Sequence, residues 1–209
     1  MLLGISFAML LVPQNKRPIP PPDVTAFLPA ETLLIEQLPV DFDHDGVDEI
    51  VLAYAREVPP YIGTGIRVLK YRPSGWTVAF EQRDSVINGG GPTDAIAIQE
   101  ITGSSGKEGL VITLKESGAG TATRWHLLVG TKNKITTLDA SPLIEKALRD
   151  KGYVDLGYNS VTVQGDEVIE SFAGYSAHAA RCCPDRPTLE IRLKFTGASI
   201  RLDSVREIS

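Results

Sequence analysis

The sequence predicts a mostly β protein, built as β-propeller-like blades or an open β assembly of about three units with one short helix. Three observations predict it. Short apolar runs rich in β-branched and aromatic residues recur along the chain, separated by turn residues. Gly 19 and Pro 14 together make about one residue in six of the 209, a turn-rich composition that suits sheets better than helical bundles. A segment beginning at Leu38 also reappears 60 positions later, with its glycine and its apolar run in register. Hydrophobic residues at 43% and charged residues at 22% are ordinary for a globular protein and argue against extended disorder. A net charge of −5 argues against a general nucleic-acid binder. Two cysteines exclude a disulfide scaffold and a four-thiolate zinc site.

Leu2 to Val12 is an apolar run, shorter than the roughly 18–20 residues that span a bilayer as a helix. It has the length of a signal-peptide core, although it lacks a basic leader and a clear small-residue cleavage site. A buried strand is the competing reading. Residues 13–23 are proline-rich and favour an extended linker. Residues 1–23 are therefore read as a signal or anchor segment plus linker, and 24–209 as a single β domain with units of about 24–84, 85–140 and 141–209. The expected location is secreted, cell-surface or periplasmic, with no membrane span in the mature chain.

Strands are predicted at Ile50–Ala55, Gly65–Tyr71 and Trp76–Phe80, the last two joined by the turn Pro73-Ser74-Gly75 into a hairpin. Further strands are predicted at Ala95–Gln99, Leu110–Leu114, Trp125–Val129, Ile135–Leu138, Ser160–Val163, Glu167–Phe172, Leu189–Phe195 and Ser199–Leu202. One helix is predicted, with Ser141 as N-cap, Pro142 at its first position and Gly152 just past its end. Leu143, Ile144, Ala147 and Leu148 form its packing stripe.

The repeat overlays residues 38–52 on 98–112, so that Gly46 falls on Gly106 and Ile50-Val51-Leu52 on Leu110-Val111-Ile112. Asp41, Asp43 and Asp45 become Ile101, Gly103 and Ser105, so only the first copy keeps acidic groups. Fixed periods of this kind indicate stacked structural units.

Asp41-Phe42-Asp43-His44-Asp45-Gly46-Val47-Asp48-Glu49 carries the sharpest chemical signal. Carboxylates at positions 1, 3 and 5 converge when a chain coils tightly, Gly46 permits the turn, and the Val47 carbonyl follows as a ligand. Hard oxygen ligands in a flexible loop suit Ca2+, with Mg2+ the runner-up because of its stricter geometry. The twelfth position is Leu52, where an EF-hand requires a bidentate Glu, and β-forming residues follow. The closing ligand is therefore assigned to Glu49, with Phe42 and Ile50 anchoring the loop.

This pattern, followed by Ile-Val-Leu, resembles the calcium loop of FG-GAP/VCBS repeats, which occur in integrin-type β-propellers and in secreted bacterial proteins. The resemblance spans residues 33–80 and, more faintly, 95–130. It implies a Ca2+ held by Asp41, Asp43, Asp45, the Val47 carbonyl and Glu49, with the family more often carrying Asp at the last position. It further implies a structural metal and a binding or adhesion role toward a protein or carbohydrate partner. Tyr54, Tyr61 and Trp76 are candidate contact aromatics, with core packing as the alternative use.

Cys182 and Cys183 are adjacent and cannot form an ordinary intrachain disulfide. A vicinal bond would be strained, because neighbouring Cα atoms lie about 3.8 Å apart. His178 precedes them by four positions, so an enzyme or a soft-metal or redox protein using His178, Cys182 and Cys183 is the alternative function. No nucleophile elbow, H-E-x-x-H or P-loop is present, and the chain is read as a non-enzyme.

Overall fold

The computed structural model describes residues 19–42, 45–58, 61–84, 93–116, 122–131, 134–180 and 182–208. Among them the chain forms three four-stranded antiparallel sheets and one α-helix, an open assembly not closed into a barrel. The first sheet holds β1 (Thr32–Val40), β2 (Glu49–Val58), β3 (Tyr61–Arg72) and β4 (Gly75–Asp84). The second holds β5 (Thr93–Thr102), β6 (Glu108–Glu116), β7 (Ala122–Thr131) and β8 (Lys134–Leu138). The helix α1 (Ser141–Lys151) leads to the third sheet, of β9 (Asn159–Gln164), β10 (Glu167–Gly174), β11 (Arg186–Phe195) and β12 (Ile200–Ile208). Every sheet is a simple meander in sequence order, the topology that short turns between strands favour. Equivalent strands of successive sheets are neighbours: β1 lies by β5, β5 by β9, and β4 by β8.

The sheets stack as layers, and the second is buried on both faces. Leu110, Ile112 and Leu128 meet Val51, Ile66 and Val68 of the first sheet. Val111, Leu127 and Val129 point the other way, to Val168, Phe172, Leu189 and Phe195 of the third. Burial of both faces explains why β6 reads as a continuous apolar run instead of alternating. The third sheet covers the core with one face only, so β11 alternates strictly. Its solvent face carries Arg192, 2.9 Å from Glu167 and 2.8 Å from Glu190. The outer face of the first sheet is met by the proline-rich segment and the turn that follows it: the Trp76 indole donates to the Pro20 carbonyl at 2.8 Å, and Arg67 donates to the Phe27 carbonyl.

The repeat has a three-dimensional counterpart. Gly46 and Gly106 both adopt left-handed backbone, at φ 80° and 76°, which glycine reaches without steric cost. The loop of each first hairpin docks on the third hairpin of the next sheet. Phe42, 4% exposed, sits so close to Gly130 that an added Cβ there would lie 2.5 Å from the Phe42 Cβ. Likewise the Ser105 hydroxyl donates to the Thr196 carbonyl at 2.7 Å. The second loop closes through its own backbone, with Gly106 N–H donating to the Gly103 carbonyl at 2.8 Å. In the first copy, the Asp41 carboxylate takes the Gly46 N–H at 2.8 Å instead.

Each predicted strand lies within a longer observed one, except that Ser199 precedes β12. Strand β1 is an addition that the sequence reading did not anticipate. Its exposure alternates along the whole strand, but its hydrophobicity does not: Leu33 and Ile35 are apolar yet exposed, Leu33-Leu34-Ile35 is a continuous apolar run, and a bulge falls between Leu34 and Glu36. The helix begins one residue earlier than expected. Ala140 occupies the N-cap, and the Asp139 carboxylate, not Ser141, accepts the first free N–H, that of Ser141, at 2.9 Å. Gly152 ends the helix in left-handed conformation, as the sequence predicts. No helix among the described residues is long and apolar enough to cross a membrane. The apolar run at 2–12 lies outside the described residues.

Candidate functional site

Two places gather chemistry. The first is the loop between β1 and β2. The Asp41 carboxylate accepts from the N–H groups of Asp45 at 3.0 Å and Gly46 at 2.8 Å, so the chain coils around it. Asp45 in turn accepts from the Val47 N–H at 2.8 Å. Glu49 is 1% exposed. One of its oxygens accepts from the Phe42 N–H at 2.9 Å and the other pairs with the Lys70 ammonium, which also stands 3.6 Å from Asp45. The fold thus brings Asp41, Asp45, Val47 and Glu49 into one loop and adds Lys70, from β3, which the sequence reading did not name. Asp43 and His44 lie outside the described residues. Among those described, no set of three or more His, Cys, Asp or Glu side chains is arranged to hold a metal ion. The remaining donors are hard oxygens, the type Ca2+ takes, but Glu49 is engaged by Lys70.

The second place is a cleft of about 690 Å3 between β7, the start of α1 and the β9–β10 hairpin, within the size range of small-molecule sites. At its wall lies Glu170, 4% exposed. Its strand reads Val168-x-Glu170-x-Phe172, so the carboxylate holds a core-facing position between two core residues. The Trp125 indole N–H donates to one Glu170 oxygen at 2.9 Å, and the Asn159 amide donates to the other at 2.5 Å. Asn159 also clips the sheets together, accepting from Thr123 N–H at 2.7 Å and donating to the Thr123 carbonyl at 2.8 Å. No cation pairs with Glu170 among the described residues. Burial therefore pushes its carboxyl up to about 7; the two hydrogen bonds oppose that rise and the negative charge of Asp155 adds to it.

The sequence reading placed Trp125 and Glu170 only as strand residues. The missed signal was phase: an acid at a position where the β10 alternation demands an apolar side chain. His126 is half-buried and bonded through Nδ1 to the Gln82 amide at 2.9 Å. Tyr54 is buried, 3% exposed, and its hydroxyl donates to Glu81 at 3.2 Å. The side chain of Tyr61 lies outside the described residues. Cys182 and Cys183 are free and exposed, their sulfurs 2.6 Å apart, and His178 does not converge with them as a metal set.

No protein-family model, curated protein or solved structure matches the chain.

Proposed function

We propose that the chain is a secreted or surface-exposed, propeller-like β-repeat module of FG-GAP/VCBS type, with a structural Ca2+ and a binding role toward a protein or carbohydrate. The observation that supports this reading is the coiling of the β1–β2 loop around the Asp41 carboxylate, with Asp45 and Glu49 on the same turn. Asp41, Asp43, Asp45, the Val47 carbonyl and Glu49 would hold the ion, which would supply charge neutralisation and cross-linking. Because Phe42 of this loop packs on Gly130 of the next sheet, a stiffer loop strengthens the contact between the first two sheets.

Lys70 favours a second reading, in which the loop carries its own cation and needs no metal. One experiment separates the two. A ligand that binds only the native state stabilises it by about 2.7 kcal/mol at a hundredfold excess over its Kd. Thermal melting in millimolar Ca2+ against chelator should therefore shift upward, and Asp43→Ala should remove the shift. Lys70→Met should enlarge it, because Glu49 is released to the metal. Equal melting with and without Ca2+ in the unmodified protein, together with destabilisation by Lys70→Met, would establish the internal ammonium and overturn the calcium reading.

A further inference from the structure

We propose that the cleft between the second and third sheets binds a small organic ammonium ion, with Glu170 as its counter-ion and Trp125 beside it. This inference is independent of calcium at the β1–β2 loop.

The hydrogen-bonding inventory of the wall specifies what a ligand must offer. Trp125 has one N–H, and Glu170 takes it. Asn159 has two amide hydrogens, given to Glu170 and to the Thr123 carbonyl. The buried donors are thus committed to the protein itself. What remains toward the cleft is acceptor capacity: each Glu170 oxygen receives one donor and keeps a further lone pair. An ammonium group is the ligand chemistry with donors and no acceptor.

Charge points the same way. Asp139, Glu145 and Asp155 line the cleft beside Glu170, against one guanidinium, that of Arg124, among the described residues. Arg124 is exposed and alternates to the face of β7 opposite Trp125. Asp139 caps the helix start, offsetting the positive end of α1. His126 reaches the rim but is held by Gln82. A carboxylate inside a poorly solvated site is strongly unfavourable without a cation, and rim carboxylates raise the local concentration of cationic ligands. An anionic ligand would meet four carboxylates.

The test uses the full chain and the indole N–H resonances of its two tryptophans. That of Trp125 reports on the cleft and that of Trp76, on another sheet, serves as the internal control; Trp76→Phe assigns the pair. The probes are benzylamine, phenethylamine and n-butylamine, with benzyl alcohol, phenethyl alcohol and n-butanol as neutral counterparts. At about pH 8, where Glu170 is ionised, at least one amine should shift the Trp125 resonance saturably while its alcohol does not. Affinity should fall roughly tenfold or more by about pH 5.5, where the carboxyl is protonated and the amine is still charged. Glu170→Gln, which keeps the shape and removes the charge, should weaken binding by roughly tenfold or more. No saturable shift with any amine up to about 10 mM would overturn the proposal, since weaker binding would not be specific recognition. So would equal binding of amine and alcohol, or a pH-independent affinity. The pH profile is read on the unmodified chain, so the outcome stands even if the variant fails to fold.

Discussion

Replacing Glu170 by Gln should alter how folding stability depends on pH. In the folded chain the carboxyl titrates at about 7, against an ordinary value of 4.5. In the unfolded chain it is solvated and titrates near the ordinary value. Below about pH 4.5 both states hold the proton, and the group does not oppose folding. Between about 4.5 and 7 the native state holds a proton that the unfolded state has released, so unfolding sheds a proton and stability falls by about 1.4 kcal/mol per pH unit. Above about 7 both states are ionised and the loss is complete, at about 3 kcal/mol for a gap of about 2.5 on the pH scale. The substituted amide would be isosteric with the protonated acid and would not titrate. The assay is urea unfolding followed by far-ultraviolet circular dichroism at intervals from about pH 4.5 to 8.5, on both proteins, because shared titrations cancel in the difference. The stability of the unmodified protein minus that of Glu170→Gln should fall by about 3 kcal/mol across that range. A difference constant to within about 0.5 kcal/mol would show that Glu170 is solvated or paired with a cation in the folded chain, and the reasoning would be wrong.

The docking of successive sheets makes two further predictions. At Gly103 an added Cβ would lie 2.2 Å from the Gly197 backbone nitrogen, so Gly103→Ala should cost about 3 kcal/mol or more, because backbone cannot yield as a side chain does. Gly106→Ala meets nothing within 4 Å and carries only the strain of its left-handed backbone, about 1 kcal/mol. Chemical denaturation that ranks these two equally, or in the reverse order, would refute the loop docking. Leu128, fully buried between the first and second sheets, should cost about 2–5 kcal/mol on truncation to Ala. Arg192→Ala, on the charged outer face of the third sheet, should cost about 1 kcal/mol or less, and the cost should shrink in high salt. Equal losses for Leu128→Ala and Arg192→Ala in urea unfolding would contradict the layered core.

Strand content, the position of the helix and the existence of a repeat are properties of short stretches, and they were legible one segment at a time. The Leu110–Leu114 run has strand length and composition wherever it sits. The stripe of Leu143, Ile144, Ala147 and Leu148 needs only the helical period, and the left-handed turns at Gly46 and Gly106 follow from residues within a few positions. Strand β1 escaped because Leu33 and Ile35 are apolar on its exposed side, so burial alternates along the strand while hydrophobicity does not, and a period-two count of the residues fails. The acidic loop was visible as a motif, but its electrostatic partner was not: Lys70 is 21 residues from Glu49 and faces it only because β2 and β3 pair in register.

The cleft shows where local reading stops. Trp125, Asn159 and Glu170 come from β7, β9 and β10, the first and last 45 positions apart, and no periodicity in any one strand relates them. The sequence by itself determined that this chain makes strands, turns and one amphipathic helix, because those depend on neighbours one to four positions apart. Only the tertiary structure decided which sheet is buried on both faces and which buried acid, Glu170 and not Glu49, meets no cation among the described residues. Burial and charge pairing are set by what the stacking of sheets places opposite a residue, which its own neighbours in sequence do not encode.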